Sequence, residues 1–238
     1  MHHVTLDRWS RIASPLHRVD PRVKIMCALA LLVSLVLTHH AYAWLFASYF
    51  ALITVLVVIA RLPLAGLVMR AGLVLPIAGT VAALNFFGGN PARAAAVLGK
   101  SYLSACTVLL LLATTPLPAL LRGLELLGVP RFLLMIAQFL YRYLFVLSEQ
   151  AQHMMQARRC RASPGRREPL FDAAAGALGV LFARSYARAE RIHQAMLARG
   201  FQGHFVLLEP PALRAVDLLL VASLAIVLSG IQMALWNL

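Results

Sequence analysis

Apolar runs of about twenty residues constrain this chain more than any other feature, because a helix of that length spans the hydrocarbon core of a bilayer. Hydrophobic residues make up 61% of the chain and charged residues only 13%, which is too apolar for a soluble domain of 238 residues. Backbone polar groups in lipid must be paired internally, so each run is predicted to be an α-helix. The sequence therefore predicts an all-α integral membrane protein with about five transmembrane helices, near residues 22–38, 41–60, 66–86, 95–114 and 213–236.

The distribution of lysine and arginine predicts the orientation, because cytoplasmic segments of membrane proteins hold an excess of positive charge. With the N-terminus in the cytoplasm, all but two of the 22 Lys and Arg residues fall on the cytoplasmic side, the exceptions being Arg93 and Lys100. This topology explains the formal net charge of +13. No motif for base stacking or groove reading accompanies the charge, so we expect the lipid bilayer, and no nucleic acid, as a partner.

The segment after the fourth run predicts a long helix outside the bilayer core. Residues 132–147 are apolar enough to suggest a sixth crossing, but Arg142 lies in the middle of them, and a crossing would export the arginines that follow. We therefore expect a helix that starts after Pro130 and runs to about Cys160. Its first half would lie in or against the membrane interface, and its polar second half would emerge into the cytoplasm.

A second long helix is predicted from about Leu170 to Arg199. Ser163-Pro164-Gly165 separates it from the first, since these residues favour a break, and Gly200 at its end favours a left-handed cap. These two helices would be cytoplasmic or interfacial. The sequence thus predicts three regions: an N-terminal membrane region of about four spans, the long helices, and a C-terminal span, with bounds 1–115, 116–205 and 206–238.

The second helix has two neighbouring stripes at about 100° per residue. We expect the first stripe to pack against another helix and the second to reach outward. The packing stripe is Leu178, Phe182, Ser185, Ala189, Ile192 and Met196, and the basic stripe is Arg184, Arg188, Arg191 and Arg199.

Two arginine-bearing tripeptides, Ala157-Arg158-Arg159 and Ala198-Arg199-Gly200, each end one of these predicted helices. Positive charge beside a membrane is typical of a surface that binds anionic lipid headgroups. The duplication favours a second interpretation, in which each tip enters a groove on a soluble partner that is itself a dimer. The residues alone leave both interpretations open.

Taken in order, these motifs resemble the transmembrane coupling component, or T component, of energy-coupling factor transporters, in the subgroup for cobalt and nickel. The likeness covers essentially the whole chain. The segments that carry it are Ser14-Pro15-Leu16-His17, Asp20-Pro21-Arg22 with Lys24, Tyr141-Arg142-Tyr143, the two tripeptides, Arg184-Ser185-Tyr186 and Glu190-Arg191.

The resemblance implies a non-catalytic subunit in a bacterial or archaeal cell membrane. Such a subunit joins two ABC-type ATPases to a separate substrate-binding membrane component, and inserts its tripeptide tips into grooves on the ATPases. Arg158 and Arg199 would be the central docking residues. The third position of these motifs is commonly glycine in the family, so Arg159 departs from the pattern. The apolar face of the first long helix would seat the substrate-binding component, through Phe132, Ile136, Phe139, Leu140 and Tyr143.

The sequence also predicts that the chain itself carries no catalytic, cofactor or metal site. It holds no Gly-x-x-x-x-Gly-Lys-Ser/Thr loop, so ATP would bind only to partner subunits. The adjacent pairs His2-His3 and His39-His40 lack Cys, Asp or Glu at ligand spacing, and we expect no metal site, no cofactor and no catalytic residue. A self-contained carrier or channel is the alternative; it would normally place polar residues at the membrane midplane.

Overall fold

A computed structural model describes Leu16 and residues 19–38, 43–161, 170–203 and 215–236. Within these residues the secondary structure is helical, which confirms the all-α class. The helices are α1 (Pro21–Leu37), α2 (Ala43–Ile59), α3 (Leu64–Ala71), α4 (Leu75–Phe87), α5 (Pro91–Thr114), α6 (Leu117–Leu126), α7 (Arg131–Arg161), α8 (Leu170–Leu197) and α9 (Ala215–Trp236).

Helices occupy all five predicted spans. The third span is divided: α3 passes through a short 3₁₀ turn, Gly72–Val74, into α4, which has a proline in its first turn. Proline lacks a backbone N–H, so Pro76 is tolerated at a helix start and disfavoured in an uninterrupted helix. By length and composition, Ala65–Phe87, Pro91–Thr114 and Arg131–Cys160 are each long and apolar enough to cross a membrane. The interfacial placement of α7 therefore stays a prediction.

The chain divides into two compact units, the first comprising residues 1–127 and 210–238 and the second Gly128–Glu209. In the first unit α5 is the central helix and packs against α1, α2, α3 and α4. Its core includes fully buried alanines, Ala60, Ala71 and Ala113, whose small side chains let helices approach closely. The outer surface is apolar: Leu73 and Phe87 are 79% and 86% exposed, as expected for residues that face lipid rather than water. This division into two units does not test the three regions predicted from the sequence, so their bounds stay a prediction.

Hydrogen bonds at one end of α1 join three helices of the first unit. The Ser34 and Tyr49 hydroxyl oxygens lie 2.5 Å apart, and the Thr38 hydroxyl donates to the Ser34 carbonyl at 2.9 Å. The Lys100 ammonium, from α5, donates to the carbonyls of Val36 and Thr38 at 2.9 and 2.7 Å. A helix C-terminus has carbonyls without helical partners and a partial negative charge, and Lys100 satisfies both requirements.

The second unit contains α7 and α8, which contact each other. Both helices were predicted, and their bounds agree with the sequence to within a few residues. The predicted break at Ser163-Pro164-Gly165 lies outside the described residues.

The predicted packing stripe of α8 was partly wrong. Leu178 and Phe182 are 65% and 72% exposed, whereas Ile192 and Met196 are half-buried. One helix buries only a narrow stripe against a single neighbour, so a two-helix unit leaves the rest of an apolar face uncovered.

Candidate docking surface on the paired helices

The second tripeptide forms the turn that ends α8. Gly200 has a φ of 76°, the left-handed region that glycine adopts without strain. Its N–H donates to the Leu197 carbonyl at 2.9 Å, and the Phe201 N–H donates to the Met196 carbonyl at 3.1 Å. These two bonds define a Schellman motif, with Arg199 at the cap position. The left-handed cap predicted at Gly200 is therefore confirmed.

Ala198, Arg199 and Gly200 are all exposed. A Cβ placed on Gly200 would meet no described atom within 4 Å, so the space beside this glycine is open. The arrangement fixes the backbone and leaves the Arg199 guanidinium free to extend. A guanidinium of this kind suits recognition by a carboxylate or a run of acceptor oxygens in a groove.

The first tripeptide has a different backbone. Ala157, Arg158 and Arg159 are exposed, but α7 continues through them to Arg161. The tripeptide therefore lies within the last helical turn rather than at a glycine turn. With about 100° between successive residues, Arg158 and Arg159 point to neighbouring sides of the helix. The departure from glycine at residue 159 thus coincides with a helical rather than a left-handed conformation.

The predicted apolar contact residues of α7 fall into two groups. Phe132, Ile136 and Leu140 are 63%, 45% and 66% exposed and follow one another at four-residue spacing. Phe139 and Tyr143 are half-buried and stack on each other, with ring centroids 6.1 Å apart. The first three therefore form an open surface, while the other two form an aromatic pair along the helix.

Sequence reasoning missed two members of this surface, Leu133 and Leu144, which are 56% and 53% exposed. The signal for Leu144 was present, since it continues the four-residue spacing from Leu140. We call Phe132, Leu133, Ile136, Leu140 and Leu144 the α7 apolar face.

The basic stripe of α8 is partly open. Arg184, Arg191 and Arg199 are exposed and Arg188 is half-buried. The outward placement was therefore correct for three of the four arginines. Within the described residues no group of three or more His, Cys, Asp and Glu side chains is placed to hold a metal ion. His2-His3 and His39-His40 lie outside the described residues.

Sequence reasoning also missed a polar cluster in the first unit. Asp20, which precedes Pro21, is the N-cap of α1 and accepts a hydrogen bond from the Arg22 N–H at 2.9 Å. Asp217, in the first turn of α9, accepts a hydrogen bond from the Asp20 N–H. Two signals pointed to the cluster: Asp-Pro is a frequent helix start, and a lone carboxylate beside an apolar run requires a polar partner.

The fold and the exposed arginine tips define an all-helical integral membrane protein with a pair of long helices that present basic ends. The chain belongs to the CbiQ family of cobalt transport proteins, whose model matches residues 13–207. This assignment confirms the resemblance that the motifs carried.

Two relatives with transport names agree with the family, and a third similar protein is uncharacterized. The cobalt transport protein CbiQ of Rhodobacter capsulatus is 34% identical over 145 residues, which is 60% of this chain and 59% of that protein. An uncharacterized protein of Methanocaldococcus jannaschii is 27% identical over 225 residues, 84% of this chain and 76% of the relative. The nickel permease LarQ of Lactiplantibacillus plantarum is 34% identical over 93 residues, 39% of this chain and 34% of the permease.

Proposed function

We propose that this chain is the transmembrane coupling component of an energy-coupling factor importer for cobalt or nickel ions. In this role it joins a substrate-binding membrane subunit to two ABC-type ATPases and transmits the movement that ATP hydrolysis drives. Membership of a family of cobalt transport proteins and similarity to a nickel permease support the metal. Which of the two ions is carried would depend on the partner subunit.

The observation that carries the proposal is the pair of exposed arginine segments in one two-helix unit. Arg158 and Arg199 lie near the C-terminal ends of α7 and α8, which contact each other. Helices of 31 and 28 residues are long enough to carry a movement from their tips over about 40 Å, at a rise of about 1.5 Å per residue. Each tip would enter a groove on one ATPase subunit.

The α7 apolar face supplies the second contact of the proposal. Its five side chains are exposed leucines, isoleucine and phenylalanine at helical spacing. Exposed apolar stripes on a long helix are typical of a helix-to-helix interface. This face would seat the substrate-binding subunit, so that a tilt of α7 moves that subunit.

Co-purification with candidate ABC ATPases from the same genome tests the docking role. We compare the native chain with the Arg158→Glu/Arg199→Glu variant in detergent. A matched control is Arg184→Glu/Arg191→Glu, because these arginines are also exposed, and both pairs change the net charge equally. Docking through the tips predicts ATPase capture by the native chain and by the control, with a loss of about tenfold or more in the tip variant.

Three other results would count against the proposal. Equal losses in the tip variant and the control indicate a general effect of positive charge, such as binding to anionic lipid. Capture that persists in the tip variant removes Arg158 and Arg199 from the interface. Metal uptake into vesicles that contain this chain and no ATPase would instead indicate a self-contained carrier.

Replacing apolar residues by aspartate tests whether the α7 apolar face binds the substrate-binding subunit. Ile136→Asp/Leu140→Asp places two carboxylates on the α7 apolar face, and Leu178→Asp/Phe182→Asp places two on exposed positions of α8. The proposal predicts that the first pair releases the substrate-binding subunit while ATPase capture continues. If the α8 pair releases that subunit and the α7 pair retains it, the seat lies on the other helix.

A further inference from the structure

The start of α1 makes contacts with three other helices of the first unit: α5, α6 and α9. The contact with α9 is a hydrogen bond between residues far apart in the chain. The Asp20 N–H donates to Asp217 Oδ1 at 3.2 Å. Asp20 and Asp217 are only 6% and 2% exposed. The bond therefore lies in a buried setting, where a polar group without a partner is costly.

The contact with α5 uses a buried lysine. The Lys24 ammonium donates to the Thr114 carbonyl at 3.0 Å, and Lys24 is only 9% exposed. Thr114 is the last residue of α5, so its carbonyl has no helical partner. Lys24 thus satisfies the end of α5 and places a positive charge close to two buried carboxylates.

The contact with α6 is made at a glycine. A Cβ on Gly123 would lie 3.0 Å from Pro21 Cβ and from Ile25 Cδ1, and 3.2 Å from the Pro21 carbonyl carbon. Real Cβ atoms rarely approach other atoms so closely, so even alanine at this position forces its neighbours to move. The backbone of α6 therefore lies directly against the first turn of α1.

These contacts are related by the points at which the chain leaves and re-enters the first unit. The chain leaves the first unit after α6, at Leu127, and returns to it at Pro210 before α9. The helix before the departure packs on Pro21 and the helix after the return bonds to Asp20. The last helix before the departure and the first described helix after the return therefore both contact the same short segment of α1.

We propose that this segment, Asp20, Pro21, Lys24 and Ile25, is a mechanical anchor through which movement of the second unit is delivered to the first. We call it the α1 anchor. The proposal rests on the proposed function, since it assigns the route by which a coupling component transmits force. The anchor stays closed during the cycle, so that a displacement of α6 or α9 is passed to α1 and not absorbed by slippage between these helices.

The charges explain why the anchor resists opening. Asp20 and Asp217 supply two negative charges, and Lys24 and Arg22 supply two positive ones, with Arg22 Nε 3.8 Å from Asp20 Oδ1. Separating α9 from α1 would take the buried Asp217 carboxylate away from the Asp20 N–H that donates to it. Leaving a buried carboxylate without its hydrogen-bond donor is costly, so this contact resists opening.

The test measures coupling rather than assembly. The full complex, with ATPases and substrate-binding subunit, is reconstituted in vesicles, and cobalt or nickel uptake is measured per ATP hydrolysed. The Lys24→Met/Asp217→Asn variant removes one charge of each sign and keeps the cluster balanced. We expect it to keep ATPase capture and ATP hydrolysis, while uptake per ATP falls by about fivefold or more, the scale of coupling between distant sites.

The matched control is Ser34→Ala/Tyr49→Phe. It also removes a buried hydrogen bond of α1, but near the opposite end of the helix. We expect it to lower thermal stability and to keep native uptake per ATP. A second anchor variant, Gly123→Ala, adds only one methyl group at the α6 contact, and we expect it to lower the same ratio.

The outcomes separate the anchor from the proposed function. Native uptake per ATP in both anchor variants overturns the anchor alone, as does an equal loss of the ratio in the control. If the native complex shows no uptake driven by ATP, the proposed function fails, and the anchor fails with it.

Discussion

The hydroxyl oxygens of Ser34 and Tyr49 lie 2.5 Å apart and join α1 to α2 inside the first unit. Tyr49 is 1% exposed, and its oxygen also accepts a hydrogen bond from the Thr38 hydroxyl at 3.3 Å. A single phenolic oxygen thus links the end of α1 to the middle of α2.

Replacement of Tyr49 by phenylalanine removes this oxygen and keeps the ring. We expect a loss of about 1–2 kcal/mol in the free energy of unfolding, because a buried hydrogen-bonding network loses a member. Thermal unfolding in detergent measures the effect. Thr54→Val is the control on the same helix, since its hydroxyl is exposed and bonds only within α2; an equal melting temperature for both variants contradicts the prediction.

Lys100→Met tests the cap that α5 provides for α1. The ammonium donates to two terminal carbonyls, so its loss should cost about 1.5–3 kcal/mol, the range for hydrogen bonds to charged groups. The control Arg93→Met removes an exposed positive charge from the same helix. Thermal unfolding of the two variants should differ clearly, and a similar small shift in both would show that the cap contributes little.

Arg61→Gly should stabilise the protein. Arg61 has a φ of 54° at the end of α2, where its N–H donates to the Val58 carbonyl at 3.0 Å. Residues with a Cβ are strained in this region by about 1–2 kcal/mol, whereas glycine is not. We therefore expect a higher melting temperature for Arg61→Gly than for Arg61→Ala, which removes the charge but keeps the Cβ. Equal values for the two variants would show that the backbone strain is negligible.

Gly200→Ala and Gly176→Ala should have opposite effects on α8. Both sites have open space around them, so neither substitution creates a clash. At Gly176, inside the helix, alanine should stabilise by about 1 kcal/mol through helix propensity. At Gly200, with its positive φ, alanine strains the Schellman turn, by about 1 kcal/mol, and displaces Arg199.

ATPase capture separates these two glycine variants further. The proposed docking role predicts weaker capture by Gly200→Ala and native capture by Gly176→Ala, measured by co-purification. A Gly200→Ala chain that is less stable yet captures ATPase normally would show that docking does not depend on the turn geometry.

Cys160 is a natural reporter for orientation. It is exposed on α7 next to the first tripeptide, whereas Cys106 is buried and Cys27 half-buried. With the N-terminus and the long helices in the cytoplasm, a membrane-impermeant maleimide should label the chain in inside-out vesicles and not in right-side-out ones. Cys160→Ser should abolish the labelling. The opposite sidedness would reverse the topology.

Much of the fold was predictable because the bilayer permits few solutions. The helices at residues 91–114 and 131–161 were expected from apolar length, from proline at a start and from polar residues at an end. Gly200 predicted its turn because left-handed backbone is a local property of the residue. The arginine tripeptides were also found from sequence, since their signal is composition and position along the chain.

The faces of the long helices were less predictable. The apolar stripe of α8 predicted that Leu178 and Phe182 pack against another helix, but both are exposed. An apolar stripe indicates that a face is suited to burial and does not say which partner buries it. Phe139 and Tyr143 are half-buried and stack on each other, and their predicted contact with a partner subunit stays a prediction.

By itself the sequence determined the membrane class, the positions of the helices and the two basic tips, because each depends on residues close together in the chain. The tertiary structure decided which distant groups meet: Asp20 with Asp217, Lys24 with the end of α5, and Lys100 with the end of α1. Each pairing satisfies a buried charge or a helix terminus. Burial creates that requirement only once the helices have packed, so no local pattern specifies which partner will meet it.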